Sequence, residues 1–499
     1  NDVHQLNVVI GWSINVKKSD TEGYEVIGFP SSVMEHPLFA RGYPEGGKPT
    51  GDETHTKAVG VYSQVGYVYD DRYLFDFSFR NDGASQFGSN KKFVSSWSVG
   101  IAWNLHNEGF MRNCSWMNLL KLRGSIGTPG NQNFSSFQTL SIYNYNTASS
   151  MRNRFEYMGA YLESKGNANL KWQQTLDRNI GLDLSFFNDR LMLSADAWNR
   201  RTENLVAFIG TPSSTGFKGY LANIGDLKSV GTTLNLSGIL IKRPNDGFRW
   251  HVNFTLRSNK DTYKNIGKSL DYLNQENIDE NDKQVAREMT SKSLVRYVEG
   301  GSVTSLWAVK SLGIDPGTGK ELFLKKNGEI TFDHNFDDEV KVGDSREKAT
   351  GIIGTTLYYK RWSLNMNFRY SLRADKFNAA LFNKVENISA TGVKSNQDKR
   401  ALYDRWQNPG DKAKFRAISM VDQTKMSSRF IQNESYIAAE SFRLGYETFD
   451  APWMKTLGLS RVMISLYMND LFRLSNIKIE RGIDYPFARL MSLSISASF

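Results

Sequence analysis

One cysteine in 499 residues excludes any internal disulfide, and Cys114 by itself cannot supply a thiolate metal set. Proline is scarce, with 11 residues, against 41 glycines. A run of about eighteen apolar residues, the length a membrane-spanning helix needs, is absent. The mean hydropathy of −0.47 agrees. The six histidines (His4, His36, His55, His106, His251, His334) are dispersed, without HExxH or HxH spacing. No catalytic constellation is visible, so the chain is not read as an enzyme, and no metal or cofactor is expected. The opening residues, Asn1-Asp-Val-His-Gln, have neither a basic n-region nor an apolar h-region. Residues 6–16 already read as a strand, so the chain is expected to begin inside a domain. The net charge is +10, but Lys and Arg are scattered among 52 acids rather than gathered in a stripe. That argues for a mixed polar surface and against nucleic-acid binding. Loops and a rim facing anionic lipid head groups fit as well.

What the chain does have is period-2 alternation and aromatics, which make up 13% of it. Met491, Leu493, Ile495, Ala497 and Phe499 fall on one face of an extended strand, and four serines fall on the other. Trp362, Leu364, Met366, Phe368 and Tyr370 alternate with Ser363, Asn365, Asn367, Arg369 and Ser371 in the same way. About fourteen such strands are expected, near 6–16, 57–69, 72–83, 93–105, 118–127, 176–187, 190–202, 228–242, 247–258, 350–359, 362–373, 433–449, 458–471 and 489–499. A short helix is expected over 376–388. Connections alternate in length. Asp70-Asp71, Asn188-Asp189, 243–246 and Lys360-Arg361 are tight, whereas 128–175, 259–349 and 374–432 are long. Short turns at one end and long loops at the other are the signature of an antiparallel transmembrane β-barrel, apolar toward lipid and polar toward its lumen. Loops of this length are disfavoured in compact soluble domains. The expected fold is therefore all-β, with Leu184, Leu364 and Phe368 facing lipid and Asp183, Asn365 and Arg369 facing the lumen. An open sheet cannot stand in a bilayer with unpaired edges. Either these strands close on themselves or other strands complete the wall.

Ordered motifs narrow the class. Arg80-Asn-Asp-Gly-Ala-Ser-Gln-Phe-Gly88 is followed by Phe93-Val-Ser-Ser-Trp97, Leu120-Lys-Leu-Arg-Gly-Ser-Ile-Gly-Thr-Pro-Gly-Asn-Gln132, Asn179-Ile-Gly-Leu-Asp183 and Asn223-Ile-Gly225. Gly313-Ile-Asp-Pro-Gly-Thr-Gly319, Arg405-Trp-Gln-Asn-Pro-Gly-Asp411, Asn469-Asp-Leu471 and the terminal Phe499 complete the series. Along nearly its whole length the chain resembles the SusC-like TonB-dependent transporters of the Bacteroidetes outer membrane. Val94 stands where the family usually has proline, and Trp198 where it usually has tyrosine. The resemblance implies that residues 1–499 are the C-terminal part of a 22-stranded barrel. The N-terminal plug and first strands would then lie outside this chain. It further implies import of oligosaccharides or oligopeptides, a SusD-like surface lipoprotein as lid, and TonB acting through that plug. Phe499 would be the terminal aromatic read during barrel assembly. A non-importing structural or secretion-related scaffold that reuses the barrel is the alternative.

Candidate contact residues lie in the long loops. Tyr143, Tyr145, Phe155, Tyr157 and Tyr161 accompany Asn131, Gln132, Asn133 and Arg154 in 128–175. Flat rings with amides and a guanidinium suit sugars or extended peptides, a lid protein, or plain loop packing. Trp307, Tyr403 and Trp406 carry the same three readings. Gly313–Lys320 lacks the phosphate-loop pattern and reads as a tight turn. Asp333-His-Asn-Phe-Asp-Asp-Glu339 has enough oxygen ligands for calcium, but an acidic solvated loop is the favoured reading.

Overall fold

The computed structural model describes the chain apart from residues 1–2, 31–35, 46, 48, 86–91, 112, 130–140, 147–158, 172, 218, 284–288, 389–393, 395, 421, 450 and 479–488. It also leaves aside the side chains of 144–146, 159, 161, 163, 213 and 283. In chain order the first strands are β1 (His4–Gly23), β2 (Thr50–Tyr69), β3 (Tyr73–Ala84), β4 (Phe93–Asn104) and β5 (Met117–Gly127). A loop hairpin follows, β6 (Ile142–Asn146) and β7 (Gly159–Ser164), then β8 (Gln174–Phe186) and β9 (Leu191–Glu203). Next come a second loop hairpin, β10 (Val206–Gly210) and β11 (Gly219–Asn223), and then β12 (Asp226–Arg243) and β13 (Phe248–Lys264). Helix α1 (Asp271–Lys283) precedes four loop strands, β14 (Ser305–Ile314), β15 (Glu321–Leu324), β16 (Ile330–Thr331) and β17 (Glu339–Asp344). The chain ends with β18 (Ala349–Tyr359), β19 (Trp362–Phe377), α2 (Arg400–Tyr403), β20 (Ile431–Thr448), α3 (Pro452–Thr456), β21 (Arg461–Ser475) and β22 (Met491–Ser498).

Fourteen of these strands form one antiparallel sheet in the order β1-β2-β3-β4-β5-β8-β9-β12-β13-β18-β19-β20-β21-β22. They are the fourteen expected from alternation, although β1, β2 and β13 run further into the loop end than the pattern suggested. Register carries the two faces across the sheet. Leu120, Leu184, Leu193, Leu236, Phe254, Ile353, Phe368, Ala439 and Phe472 follow one another as direct cross-strand partners. One face thus presents an unbroken apolar row over nine strands. On the other face, Ser237, Asn253, Gly354, Asn367, Ser441 and Asn469 run in sequence. An apolar outer band and a polar inner one are what lipid and lumen demand. Leu184, Leu364 and Phe368 are on the apolar side, as expected.

The tight turns follow from backbone sterics. Asp70 and Asp71 both take φ of 50°, and Asn188 and Asp189 take 56° and 61°. Paired positive φ values are the mark of two-residue hairpins whose twist matches the flanking strands, and Asp and Asn tolerate them best among side-chain-bearing residues. Trp198 is buried against Gly231, where an added Cβ would sit 2.4 Å from the indole.

β1 pairs with β2 and β22 with β21, and among the described residues neither takes a second partner in the sheet. The sheet is open. β1 therefore offers a 20-residue edge, with Leu6, Ile10 and Trp12 each more than two-thirds exposed. Phe499 follows β22 and is 90% exposed.

The face assignment predicts an order of damage. Phe368→Arg, deepest on the lipid side, should destabilise the membrane-inserted barrel most, by roughly 2–4 kcal/mol, with Leu364→Arg next and Asn365→Arg least. Unfolding in urea from lipid vesicles reads this directly, and equal shifts for Leu364→Arg and Asn365→Arg would mean the faces are reversed.

Candidate functional site

The long connections between β13 and β18 and between β19 and β20 are not plain loops. They fold together into one unit at the loop end of the wall. β16, β15, β14 and β17 form a four-stranded sheet in that order. The core of the unit joins Leu306 and Ala308 of β14 and Phe377 at the end of β19 to Met289 and Leu294 from the first connection and Leu381, Phe382, Val385, Ala401, Phe415, Met426 and Phe430 from the second. Phe382 and Phe430 are fully buried and meet edge to face at 4.8 Å. Residues 381–386 form a short π-helical segment inside the stretch expected to be helical.

Charges lock the two connections together. Arg429 bridges Glu321 at 2.8 Å and Glu386 at 3.0 Å, and both carboxylates are almost fully buried. Ser427 donates to Glu321 (2.6 Å) and Thr424 to Glu386 (2.8 Å). Arg416 lies 3.5 Å from Glu386, and Arg405 donates to the backbone oxygens of Ala401, Val385, Glu386 and Arg416. Burial opposes ionisation of Glu386, but Arg429 and the hydroxyl of Thr424 outweigh it, so its carboxyl stays below the usual carboxylate range. A second buried pair, Arg296 with Glu339 at 2.7 Å, ties the start of this unit to β17. Burial pushes Glu339 upward despite its partner.

Two of the family-like motifs meet here. Gly313–Gly319 is a turn between β14 and β15, closed by Thr318 donating to Asp315 through both backbone N–H (2.9 Å) and hydroxyl (2.6 Å). The indole of Trp406 donates to the Pro316 carbonyl at 2.8 Å, and the Gly410 N–H reaches the same oxygen at 2.8 Å. Gly319, at φ +71°, lies under the Trp406 ring, where a Cβ would come within 2.6 Å. Trp307, on β14, donates to its neighbour Ser305 at 3.2 Å and is partly buried. Tyr403 is 77% exposed. Trp307 and Trp406 therefore belong to one folded unit.

The tyrosines of 128–175 belong to another. β6 and β7 pair so that Tyr143 lies opposite Leu162, Tyr145 opposite Ala160 and Tyr161 opposite Asn144. Tyr161 is one register position out of step with the other two. Tyr143 is exposed. Arg154, Phe155, Tyr157, Asn131, Gln132 and Asn133 lie outside the described residues. This hairpin leads into β10–β11 through a bridge between Lys165 and Tyr220, with Asn167 donating to Leu221 O at 2.9 Å. Tyr272 of α1 in turn covers Gly210 at the end of β10.

The carboxylates of 333–339 diverge. Asp338 accepts from Lys326 N–H (3.0 Å), Glu339 faces Arg296, and Asn335 caps Asp337 N–H (2.9 Å). Among the described residues no group of three His, Cys, Asp or Glu side chains is placed to hold a metal. His334 sits between the rings of Phe323 (5.2 Å) and Phe336 (4.8 Å), and burial pushes its pKa down to about 4.

The lumen face carries a cross-strand ionic row that alternation by itself did not reveal. Arg123 on β5 reaches Asp183 on β8 at 2.8 Å and Asp196 on β9 at 2.7 Å. Gly181 leaves the space, since a Cβ there would come within 2.5 Å of the guanidinium carbon. Arg200 pairs with Asp177 at 2.8 Å, and Arg369 pairs with Glu440. Asp177 and Arg200 face each other across the Asn188-Asp189 turn, whereas β5 and β8, and β19 and β20, are joined by long connections, so the other pairs follow only from register.

A wall apolar outside and charged inside, with tight turns at one end and folded insertions at the other, defines an outer-membrane β-barrel. Residues 32–388 match the family model described as TonB dependent receptor-like, beta-barrel, and the chain belongs to that family. It is 27% identical to the TonB-dependent receptor SusC of Bacteroides thetaiotaomicron over 470 residues, 89% of this chain and 44% of that protein. It is 26% identical to a TonB-dependent receptor of Formosa agariphila over 537 residues, 99% of this chain and 51% of that one. The chain spans about half the length of the curated relatives it matches. Among solved structures, that of the RagAB peptide transporter superposes with a TM-score of 0.79 at 20% identity, covering 96% of this chain and 50% of that one. The fold is shared with it.

The buried lock generates a prediction. Glu386→Gln leaves Arg429, Arg416 and Arg405 under-compensated and should weaken the folded insertions by about 3 kcal/mol. Amide exchange over 289–344 and 378–430 should accelerate while the wall strands, β18 and β19 included, keep their protection. Because the Glu386 carboxyl is depressed in the folded state, its contribution is present above the unfolded carboxylate pKa and is lost as pH falls through the folded value. The wild-type protection factor over these insertions, which is exchange taken relative to the slower intrinsic rate in acid, should therefore fall as the pH is lowered. Unchanged exchange in the variant would mean the lock is not stabilising.

Proposed function

We propose that this chain forms the C-terminal wall and outer mouth of a SusC-like TonB-dependent importer of oligopeptides or oligosaccharides. A SusD-like lipoprotein caps the folded insertions. Energy reaches the barrel from TonB through a plug contributed outside this chain, together with the strands that pair with β1 and β22. The observation that carries the reading is the open fourteen-stranded wall: two free edges in a bilayer require partner strands, and the likeness to half of a peptide transporter's chain supports a partner of that kind. Tyr143, Tyr145, Arg154, Tyr157, Tyr161, Trp307 and Trp406 are proposed to meet substrate or lid. Trp307 and Trp406 do so from a rigid platform, and the tyrosines from the 128–175 connection. Phe499 is proposed as the terminal signal for barrel assembly.

Two measurements test this. The assembly purified from outer membranes should contain a plug domain, in the same or a second polypeptide. A stable assembly with no plug would overturn import and favour the scaffold role. Topology is tested on intact cells. A cysteine at Asp333 should react with a membrane-impermeant maleimide, and one at Lys360 should not, with Cys114 in the 106–117 turn staying unlabelled. Labelling at Lys360 with protection at Asp333 would invert the barrel and remove the lid from these insertions.

A further inference from the structure

The aromatic row at the tight-turn end of the wall is fronted by different charges in different sectors. From β1 to β4 the row is His4, Tyr69, Tyr73 and Trp103, linked by direct pairing or across the turn. Their successive ring centroids are 5.1, 6.3 and 6.2 Å apart. The groups beyond it are mainly acidic: Asp70, Asp71 and Glu108. Among the described residues the cation there, Arg72, is 3.1 Å from Asp70 and 3.5 Å from Glu108.

From β13 to β20 the row is Phe248, Tyr359, Trp362 and Tyr446, again direct partners. Cations flank it. Arg243, the direct cross-strand partner of Phe248, extends the row onto β12, and beyond the row Lys360 and Arg361 form the next turn. The two turns are joined, with Lys360 N–H donating to Gly247 O at 2.9 Å. Lys360 Nζ lies 5.4 Å from the centre of the Tyr359 ring, and Arg361 donates to Thr448 Oγ1 at 3.1 Å. Arg243 and Lys360 are exposed, and among the described residues neither has an ion-pair partner. Asp246 is the one acid in these two turns. Lys242 and Arg249, opposed directly across the strands and also exposed, add positive field from the lumen side. Like charges placed opposite each other repel unless an anion neutralises them.

We propose that Arg243, Lys360 and Arg361 bind the head group of an anionic phospholipid in the leaflet at the tight-turn end. The order of chemistry along the wall decides the ligand. The turn cations Lys360 and Arg361 come first, then the interfacial aromatics with Arg243 at their level, then the apolar row Trp250, Leu357, Leu364 and Leu444. A phosphodiester followed by acyl chains matches all three layers. A soluble acidic protein would match the first and leave the apolar row uncovered. The proposal does not rest on the import reading.

The test uses the assembly purified from outer membranes, stripped with neutral detergent and given equal amounts of phosphatidylglycerol and phosphatidylethanolamine. Retained lipid is counted by native mass spectrometry. Phosphatidylglycerol should be favoured by about fivefold or more. The variant Arg243→Gln/Lys360→Gln/Arg361→Gln should retain the two nearly equally. The charge-keeping variant Arg243→Lys/Lys360→Arg/Arg361→Lys should keep the preference, as should Lys17→Gln/Lys18→Gln at the other end of the wall. Should the triple glutamine variant lose its heat-modifiable form, Arg243→Gln is read instead, with a partial loss of preference expected. No preference in the wild type, a preference that survives neutralisation of the cluster, or an equal loss in the Lys17/Lys18 variant would each overturn the proposal.

Discussion

Within a bilayer no water is available to a backbone N–H or C=O, and the rest of this structure depends on that constraint. Each spanning strand must be paired along its length, and pairing fixes register. Because the side-chain period is two, a slip of one residue would exchange every lipid-facing residue for a lumen-facing one. The nine-residue apolar row from Leu120 to Phe472 is therefore a consequence of correct pairing as much as of composition. The same rule makes β1 and β22 incomplete as they stand. Among the described residues each offers one unpaired edge of ladder groups, and an unpaired edge in hydrocarbon is costly.

The wall also supports what stands on it. β19 continues past the membrane band to Phe377, whose ring is part of the core of the folded insertions. Asp375 on the same strand accepts from the Asp344 N–H at the end of β17, at 2.9 Å. Gly343 leaves room for that contact, since a Cβ there would meet Asp375 at 2.7 Å. The insertions are thus built onto a strand that cannot shift register, and Trp307 and Trp406 inherit that rigidity. The β6–β7 and β10–β11 hairpins are attached through a few backbone contacts near Lys165 and Asn167, a slighter anchorage.

The wall was legible in the amino-acid sequence because its signals are local. Alternation spans ten or more residues, and the turns need Asp-Asp or Asn-Asp pairs that accept positive φ. The folded insertions were not legible for the opposite reason. β15 has four residues and β16 has two, too short for periodicity, and their core joins positions from Met289 to Phe430. Glu321 lies 108 residues from Arg429 and Glu386 lies 43 away, so no local pattern announces the lock. The motifs at Gly313–Gly319 and Arg405–Asp411 were visible as strings. Their meeting through the Pro316 carbonyl needed three dimensions. The lumen row around Arg123 falls between these cases, for its charges were visible but their adjacency depended on register.

The Glu321–Arg429–Glu386 bridge bears on how receptors of this kind can diversify. Its carboxylates come from two insertions separated in the chain by two wall strands. Exchange of either insertion by recombination would leave a buried charge facing a foreign surface. The two are therefore bound to be inherited as a pair, and new outer surfaces would arise by exchanging both together or by changes confined to positions outside the lock.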